Sequence, residues 1–337
     1  MIIPIFLPHL GCQSRCIYCD QDVITDIEKD DIGTRIDESL AGRKGPLEVG
    51  LYGGNIFGLN SEDVKRLFSY FRSHEDKITN FRVSTKPIPL DPEVIAILRE
   101  NRTTVIELGI PAFNDHILWF LNRRHTTADL INAFSMLTGE GFQVALQVMV
   151  GLPHETLDDV RETVRNIVKL KPSYIRIYPL AFISGTPLAA MHEAGAFTAI
   201  TFEETLQRTV LIYLNALQHG IKTVKMGLTD NEVIKDRIVG GYYHPAFGFL
   251  VKSQAFHQAL MARVIEGGFT GYATVCLNSR DISHFLGYKR TNLARFREAG
   301  LSVTWEAANI APGTFILKTG KKKIWGTIFD ALSELNK

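Results

Sequence analysis

Short runs of β-branched and apolar residues alternate with amphipathic stretches along the first half of the chain. The runs are Ile2–Leu7, Leu47–Tyr52, Asn80–Thr85, Thr104–Gly109, Gln143–Val150 and Tyr174–Pro179. Each is followed by helix-start chemistry rather than a two-residue hairpin turn, which predicts parallel strands. Ser61-Glu62-Asp63 opens one helix and Asp91-Pro92-Glu93 puts Pro at a first helical position. Thr126-Thr127-Ala128-Asp129 and Thr156-Leu157-Asp158-Asp159 are further N-cap signatures. The resulting strand–helix units before residue 180 fit an open doubly wound sheet or a partial barrel. In either, ligands gather at the carboxyl ends of the strands.

Past residue 180 the alternation loosens. A long helix is predicted from about Thr201 and another from Pro245 to Glu266, with strand-like runs at Tyr272–Leu277, Leu301–Trp305 and Thr314–Leu317. A boundary near residue 200 divides the chain into a sheet-forming domain, 1–200, and an extension, 201–337. No low-complexity linker separates them, so the extension is expected to pack on the first domain.

Composition narrows the class. With 337 residues, 45% of them hydrophobic and 22% charged, the chain can bury a sizeable core and is not a disordered tail. Lys+Arg 37 against Asp+Glu 36 removes the strong basic bias of a protein held to nucleic acid by its overall field. No apolar run reaches the ~18 residues that cross a bilayer, and the opening Met1-Ile2-Ile3-Pro4-Ile5-Phe6-Leu7 lacks a basic n-region. A cytoplasmic protein with no membrane partner is expected.

The chemistry sits in the cysteines. Cys12-Gln13-Ser14-Arg15-Cys16-Ile17-Tyr18-Cys19 follows the first strand directly. Three thiolates on one tight loop can hold three irons of a 4Fe-4S cubane and leave the fourth open to another ligand. A structural zinc is the plainer alternative, but it wants a fourth ligand with paired spacing, and no nearby Cys/His pair supplies one. Cys276, far along the chain, reads as a small buried hydrophobe.

The C-x3-C-x-aromatic-C loop, with Tyr18 at the aromatic position, resembles that of the radical S-adenosylmethionine (SAM) superfamily. The resemblance implies a partial (βα)6 TIM-like barrel with a C-terminal α/β extension. It further implies that Cys12, Cys16 and Cys19 carry a 4Fe-4S cluster whose open iron binds SAM. Reduction by a donor such as ferredoxin or flavodoxin would then cleave SAM to methionine and a 5′-deoxyadenosyl radical. Pro8-His9-Leu10-Gly11-Cys12, Arg123-Arg124-His125-Thr126, Val148 to Thr156, Arg176-Ile177-Tyr178-Pro179, Tyr242 to Gly248 and Gly287 to Asn292 are similar to short bacterial relatives of the radical-SAM half of the Elongator catalytic subunit. No acetyltransferase domain follows these motifs.

Several positions depart from the superfamily pattern. The Gly-Gly-Glu expected after the second strand is Gly53-Gly54-Asn55, which keeps a carbonyl for SAM but loses the charge. The Ser-Thr-Arg-Pro-Asp run of the relatives is Ser84-Thr85-Lys86-Pro87-Ile88, so a forked guanidinium becomes a point charge. Gly-Val-Gln-Ser becomes Gly109-Ile110-Pro111-Ala112, removing two polar side chains from the expected cavity wall. Glu107 and Gln147 lie within strands and are candidates for SAM contact, against ordinary paired or hydrogen-bonded core groups. By resemblance, Leu152 lies in the turn on which adenine packs. Arg124, His125, Arg176, Tyr178, Tyr243 and His244 are candidate substrate contacts, with a structural ion pair for Arg176 and a solvent-facing loop for His244 as the plain alternatives.

Basic residues at Arg123, Arg124, Lys289, Arg290, Arg295, Arg297, Lys318 and Lys321 to Lys323 can track an RNA backbone or serve as solvated faces. Three function classes follow: a radical SAM enzyme acting on RNA such as tRNA, one acting on a small molecule or protein, and a non-catalytic iron–sulfur partner.

Overall fold

Side chains along each early strand alternate between apolar groups packed outward and polar groups turned toward an interior. In this computed structural model, which describes residues 2–20, 32–228, 232–320 and 322–335, these strands belong to one parallel sheet of seven. They are β1 (Ile2–Phe6), β2 (Leu47–Tyr52), β3 (Ile78–Thr85), β4 (Thr103–Gly109), β5 (Gln143–Val150), β6 (Tyr174–Pro179) and, after the short β7 (Ala181–Ile183), β8 (Lys222–Met226). Met1 and Lys321 lie outside the described residues.

Strand order decides between the two topologies. A doubly wound sheet reverses order at a switch point, whereas here each strand pairs with its successor, β1-β2-β3-β4-β5-β6-β8. Such a singly wound sheet curls into a half barrel with helices outside it. Val144, Leu146, Val148, Ile175 and Ile177 are fully or nearly fully buried on the helix side. Phe81 of β3 meets Phe68 and Phe71 edge-on, with ring centroids 5.0 Å apart in each pair. The helix starts form as the sequence suggests. Thr126 and Thr156 complete capping boxes with Asp129 and Asp159, and Asp91 caps Pro92–Glu100.

The chain divides into two units, Met1–Ala199 with Ile221–Tyr243, and Ile200–Gly220 with His244–Lys337. Ile221–Tyr243, assigned by the sequence to the extension, returns to the first unit because β8 pairs in parallel with β6. β9 (Ile238–Gly241) pairs with β7 there as well. The second unit holds the helices Phe202–Gln218 and Phe247–Gly267 and a mixed sheet. Its strands are β10 (Gly271–Leu277), β11 (Leu301–Ala307), β12 (Thr314–Thr319) and β13 (Lys322–Thr327), in the order β11-β10-β12-β13. Phe285, Phe296, Phe315 and Leu317 form its buried interior.

A carboxylate fills the floor of the half barrel. Glu107 of β4 has no exposed surface. Its Oε1 accepts hydrogen bonds from Tyr174 at 2.6 Å, Arg176 Nη2 at 3.1 Å and Tyr52 at 3.3 Å. Its Oε2 accepts from Gln147 Nε2 at 2.8 Å and has Arg176 Nε at the same distance. Arg82 of β3 donates to the Tyr174 hydroxyl at 2.8 Å and to Glu48 of β2 at 2.5 and 2.9 Å. Two carboxylates therefore balance two guanidinium groups. Burial, and then the Glu107 charge, hold the Tyr52 and Tyr174 hydroxyls protonated as donors.

Removing one partner from such a set leaves buried charge uncompensated, at a cost of about 3–5 kcal/mol. Glu107→Ala is accordingly expected to lower unfolding free energy by that order in urea titration. A loss under about 1 kcal/mol would show that the network does not brace the sheet.

Candidate active site

Backbone approaches backbone where the loops after β1 and β2 meet. A Cβ on Gly54 would lie 2.7 Å from the Leu10 carbonyl oxygen, and one on Gly58 would fall 1.9 Å from that of Gly11. Gly11 itself has a φ of +73°, and its Cβ would lie 2.1 Å from the Asn55 carbonyl oxygen. Only glycine permits this contact. Asn55 then locks the loops together. Its Nδ2 donates to Gly11 O at 3.3 Å, while its Oδ1 accepts from Thr85 Oγ1 at 2.8 Å and from the Lys86 amide at 3.0 Å.

The cysteine loop rests on this base. Cys12, Cys16, Tyr18 and Cys19 line a cavity of about 590 Å³ at the carboxyl ends of the strands. Gly53, Gly54, Ser84, Lys86, Gln147, Arg176 and Tyr178 share its wall. Lys86 Nζ donates to Ser14 O at 3.2 Å, and Asn122 Nδ2 donates to Arg15 O at 2.8 Å. Gln147 Nε2 also donates to Ser84 Oγ at 3.1 Å.

Arg123 is the cation that the cysteines meet. It is 7% exposed, and its Nη1 donates to Cys16 Sγ at 3.3 Å and to the Tyr18 hydroxyl at 3.4 Å. Its Nη2 donates to Gly109 O, where a Cβ would crowd that nitrogen at 3.2 Å. Burial alone would push the Cys16 thiol up, but the charges of Arg123 and Lys86 and the hydrogen bonds from Arg123 and Tyr18 bring it below its ordinary range. Burial raises Cys12. Three thiols thus face one cavity beside two cations, a donor set suited to a cluster that carries one thiolate on each of three irons. Among the described residues no three His, Cys, Asp or Glu side chains converge as a single metal ion would need.

Other expected residues lie elsewhere. The carbonyl that Asn55 was expected to offer SAM is already engaged by Thr85 and Lys86, and Asn55 is 4% exposed and off the cavity wall. Glu107 lies beneath the wall as a paired carboxylate. Leu152 is 2% exposed and under its turn, where Glu155 Oε2 accepts from the Gly151 amide at 2.9 Å, so it presents no surface for adenine. Pro111 lines the cavity, but Ala112 is buried away from it. Arg124 is exposed with its Nε on Asn122 Oδ1, and buried His125 turns its Nδ1 to Arg123 O at 3.2 Å. Neither they nor Tyr243 and His244 line the cavity. His244 belongs to the second unit, where its Nδ1 accepts from the Ala246 amide at 3.0 Å.

The basic set divides likewise. Arg123 is buried and cannot track an RNA backbone. Arg295 donates to Gln254 Oε1 at 2.7 Å and Lys318 pairs with Glu306. Arg124, Lys289, Arg290, Arg297, Lys322 and Lys323 are exposed. Sequence reasoning missed Arg123, Tyr52 and Lys225 as cavity residues. Alternation along β2 was the available signal for Tyr52, which follows Gly50 on the same face.

Comparison with known proteins adds the following. The family described as Radical SAM superfamily matches residues 6–167, and the Radical_SAM C-terminal domain matches residues 172–256. The chain is 22% identical over 236 residues to a tRNA uridine(34) acetyltransferase of Methanocaldococcus jannaschii, covering 69% of this chain and 40% of that protein. It is 22% identical over 225 residues to the heme chaperone HemW of Bacillus subtilis, covering 62% and 59%. Among solved structures, archaeal Methanocaldococcus infernus Elp3 superposes with a TM-score of 0.56 at 18% identity, covering 79% of this chain and 63% of that one, a likeness of fold. The chain thus spans 40% to 59% of the length of these curated relatives. No helix among the described residues is long and apolar enough to cross a membrane.

Two outcomes follow from this geometry. Gly54→Ala is expected to drive the two loops apart and to lower iron bound per chain after anaerobic reconstitution, while the unfolded fraction measured by circular dichroism stays unchanged. Full iron loading would show that the loop contact does not set the cysteines. His125 is held down to about 3, first by burial and then by the Arg123 charge. The unfolded chain, with its ordinary value of 6.5, takes up a proton that the fold refuses. Its contribution is present above about pH 6.5 and is lost as pH falls toward about 3. The urea midpoint of the protein should fall over that window, and less steeply in His125→Asn.

Proposed function

The chain belongs to the radical SAM superfamily, and from that premise we propose that it is an enzyme. In this reading Cys12, Cys16 and Cys19 hold a 4Fe-4S cluster with one iron open to SAM, and a substrate in the same cavity gives up a hydrogen atom. Held there by Cys12, Cys16 and Cys19 and reduced by a donor such as ferredoxin or flavodoxin, such a cluster would supply the electron for cleaving SAM to methionine and a 5′-deoxyadenosyl radical. The observation that carries the reading is the opening of all three cysteines onto one cavity at the carboxyl ends of a half barrel.

The protein's own groups have definable tasks. Arg123 and Lys86 offset thiolate charge, and the Arg123 bond to Cys16 fixes that sulfur against the loop. Ser84 and Gln147 give the wall a polar patch, held in place by Glu107 below it. The half barrel screens the reacting groups from bulk water, which protects a radical from side reactions. A relative's name makes tRNA one candidate substrate.

A second reading, a cluster-bearing partner that does not cleave SAM, draws on Asn55. Among the described residues no Asp or Glu lines the cavity to meet the SAM ammonium, and the Asn55 carbonyl is engaged. Anaerobic reconstitution and dithionite reduction with SAM, followed by electron paramagnetic resonance and chromatography, separate the two. The first reading expects a SAM-perturbed cluster signal and 5′-deoxyadenosine, both absent in Cys19→Ala. A cluster that forms and ignores SAM would replace it with the second.

A further inference from the structure

Among the described residues the charges around the cavity do not balance. Of those that line it, Arg15, Lys86, Arg123, Arg176 and Lys225 are cationic and none is Asp or Glu. Glu107 neutralises Arg176 from beneath, and Arg15 has interactions of its own. Lys86, Arg123 and Lys225 remain, and among the described residues none of the three has a carboxylate partner. A cubane held by three thiolates brings about one net negative charge when oxidised. The SAM sulfonium brings about one positive charge, its ammonium and carboxylate cancelling, so the two cofactors together leave the surplus standing.

Position separates the three cations. Arg123 and Lys86 act on Cys16. Lys225 stands on β8, directly across from Arg176 of β6 in the strand register. Like charges placed opposite one another on a sheet repel, and burial together with Arg176 pushes the Lys225 amine down. An ordinary surface lysine would turn its head to water, whereas this one lines the cavity beside a second cation. Apolar Ala181, Ile183 and Leu228 share the cavity wall with it.

Resting on the radical SAM reading above, we propose that the substrate is a small molecule carrying a carboxylate or phosphate group, which Lys225 holds beside Arg176. The anion removes the repulsion between the two cations and anchors the substrate by one end, while the remainder of the molecule extends along the cavity toward the cysteine loop. Lys225 is in this sense a specificity residue for a charged end group.

Amine acylation tests the site without depending on turnover. The reconstituted protein is treated briefly with acetic anhydride at fixed ionic strength, and acetylation of Lys225 is read by peptide mass spectrometry against exposed Lys44. Inorganic phosphate, glutarate and neutral glutaramide serve as probes. Phosphate or glutarate should slow labelling of Lys225 several-fold relative to Lys44, and glutaramide should not; whichever anion protects identifies the end group. The protecting anion should also raise the thermal midpoint of the parent and leave that of Lys225→Met unchanged. Equal labelling with and without both anions overturns the proposal. Protection in a protein whose cluster ignores SAM removes the radical reading and keeps the anion site, whereas a SAM response without protection does the reverse.

Discussion

A carboxylate with no exposed surface governs the first unit. Glu107 cannot be buried unless each oxygen finds donors, and those donors come from β2, β5 and β6, with Arg82 of β3 bonded to one of them. Strands in any other order or register would leave either a bare carboxylate or a bare guanidinium. The network thus makes the half barrel specific as well as closed. A plain apolar floor would stabilise the sheet equally well, but it would give Ser84 and Gln147 nothing to be oriented by.

Above that floor the architecture changes from side-chain pairing to backbone contact. Gly11, Gly54 and Gly58 let two loops touch without side chains between them, and Asn55 bridges three loops with one amide. An amide suits that position because it must donate to Gly11 and accept from Thr85 and Lys86 at once. A carboxylate there would face the Gly11 carbonyl with no proton to offer. The loss of charge relative to the superfamily pattern is therefore matched by a structural task that only an amide performs.

Much of this was legible in the sequence. The strands, the helix caps and the cysteine loop each follow from local chemistry, and Arg176 and Tyr178, two residues apart on β6, do share the cavity wall. Other features had no local signature. β8, Lys-Thr-Val-Lys-Met, follows a long helix and its burial pattern shows no clear alternation, so it escaped the strand reading and its Lys225 was not singled out. Arg123 stands in a run of basic residues that resembles a solvated face. What turns it inward is backbone conformation, with Asn122 and Arg124 on either side at φ values of 57° and 59°. Positive φ at non-glycine residues leaves no mark in a composition or a period. Asn55 was placed correctly along the chain, but its partners come from loops distant in sequence.

The two ends of the half barrel differ in how their charge is met. At the floor, Glu48 and Glu107 compensate Arg82 and Arg176 within the chain, so that region is complete as folded. At the cysteine loop, buried Arg123 has no carboxylate among the described residues and finds a sulfur, the Tyr18 hydroxyl and a backbone carbonyl instead. Those partners weakly compensate a guanidinium while the thiol keeps its proton, and strongly once the sulfur is a thiolate. Thiolate formation and whatever cation the thiolates bind are therefore favoured by the same residue that burial otherwise penalises. A ligand of those thiolates that binds only the folded chain would be linked to folding through Arg123, because such binding adds to the stability of the fold. The half barrel thus balances its guanidinium charge with carboxylates at the floor and leaves it to sulfur, hydroxyl and backbone at the cysteine loop.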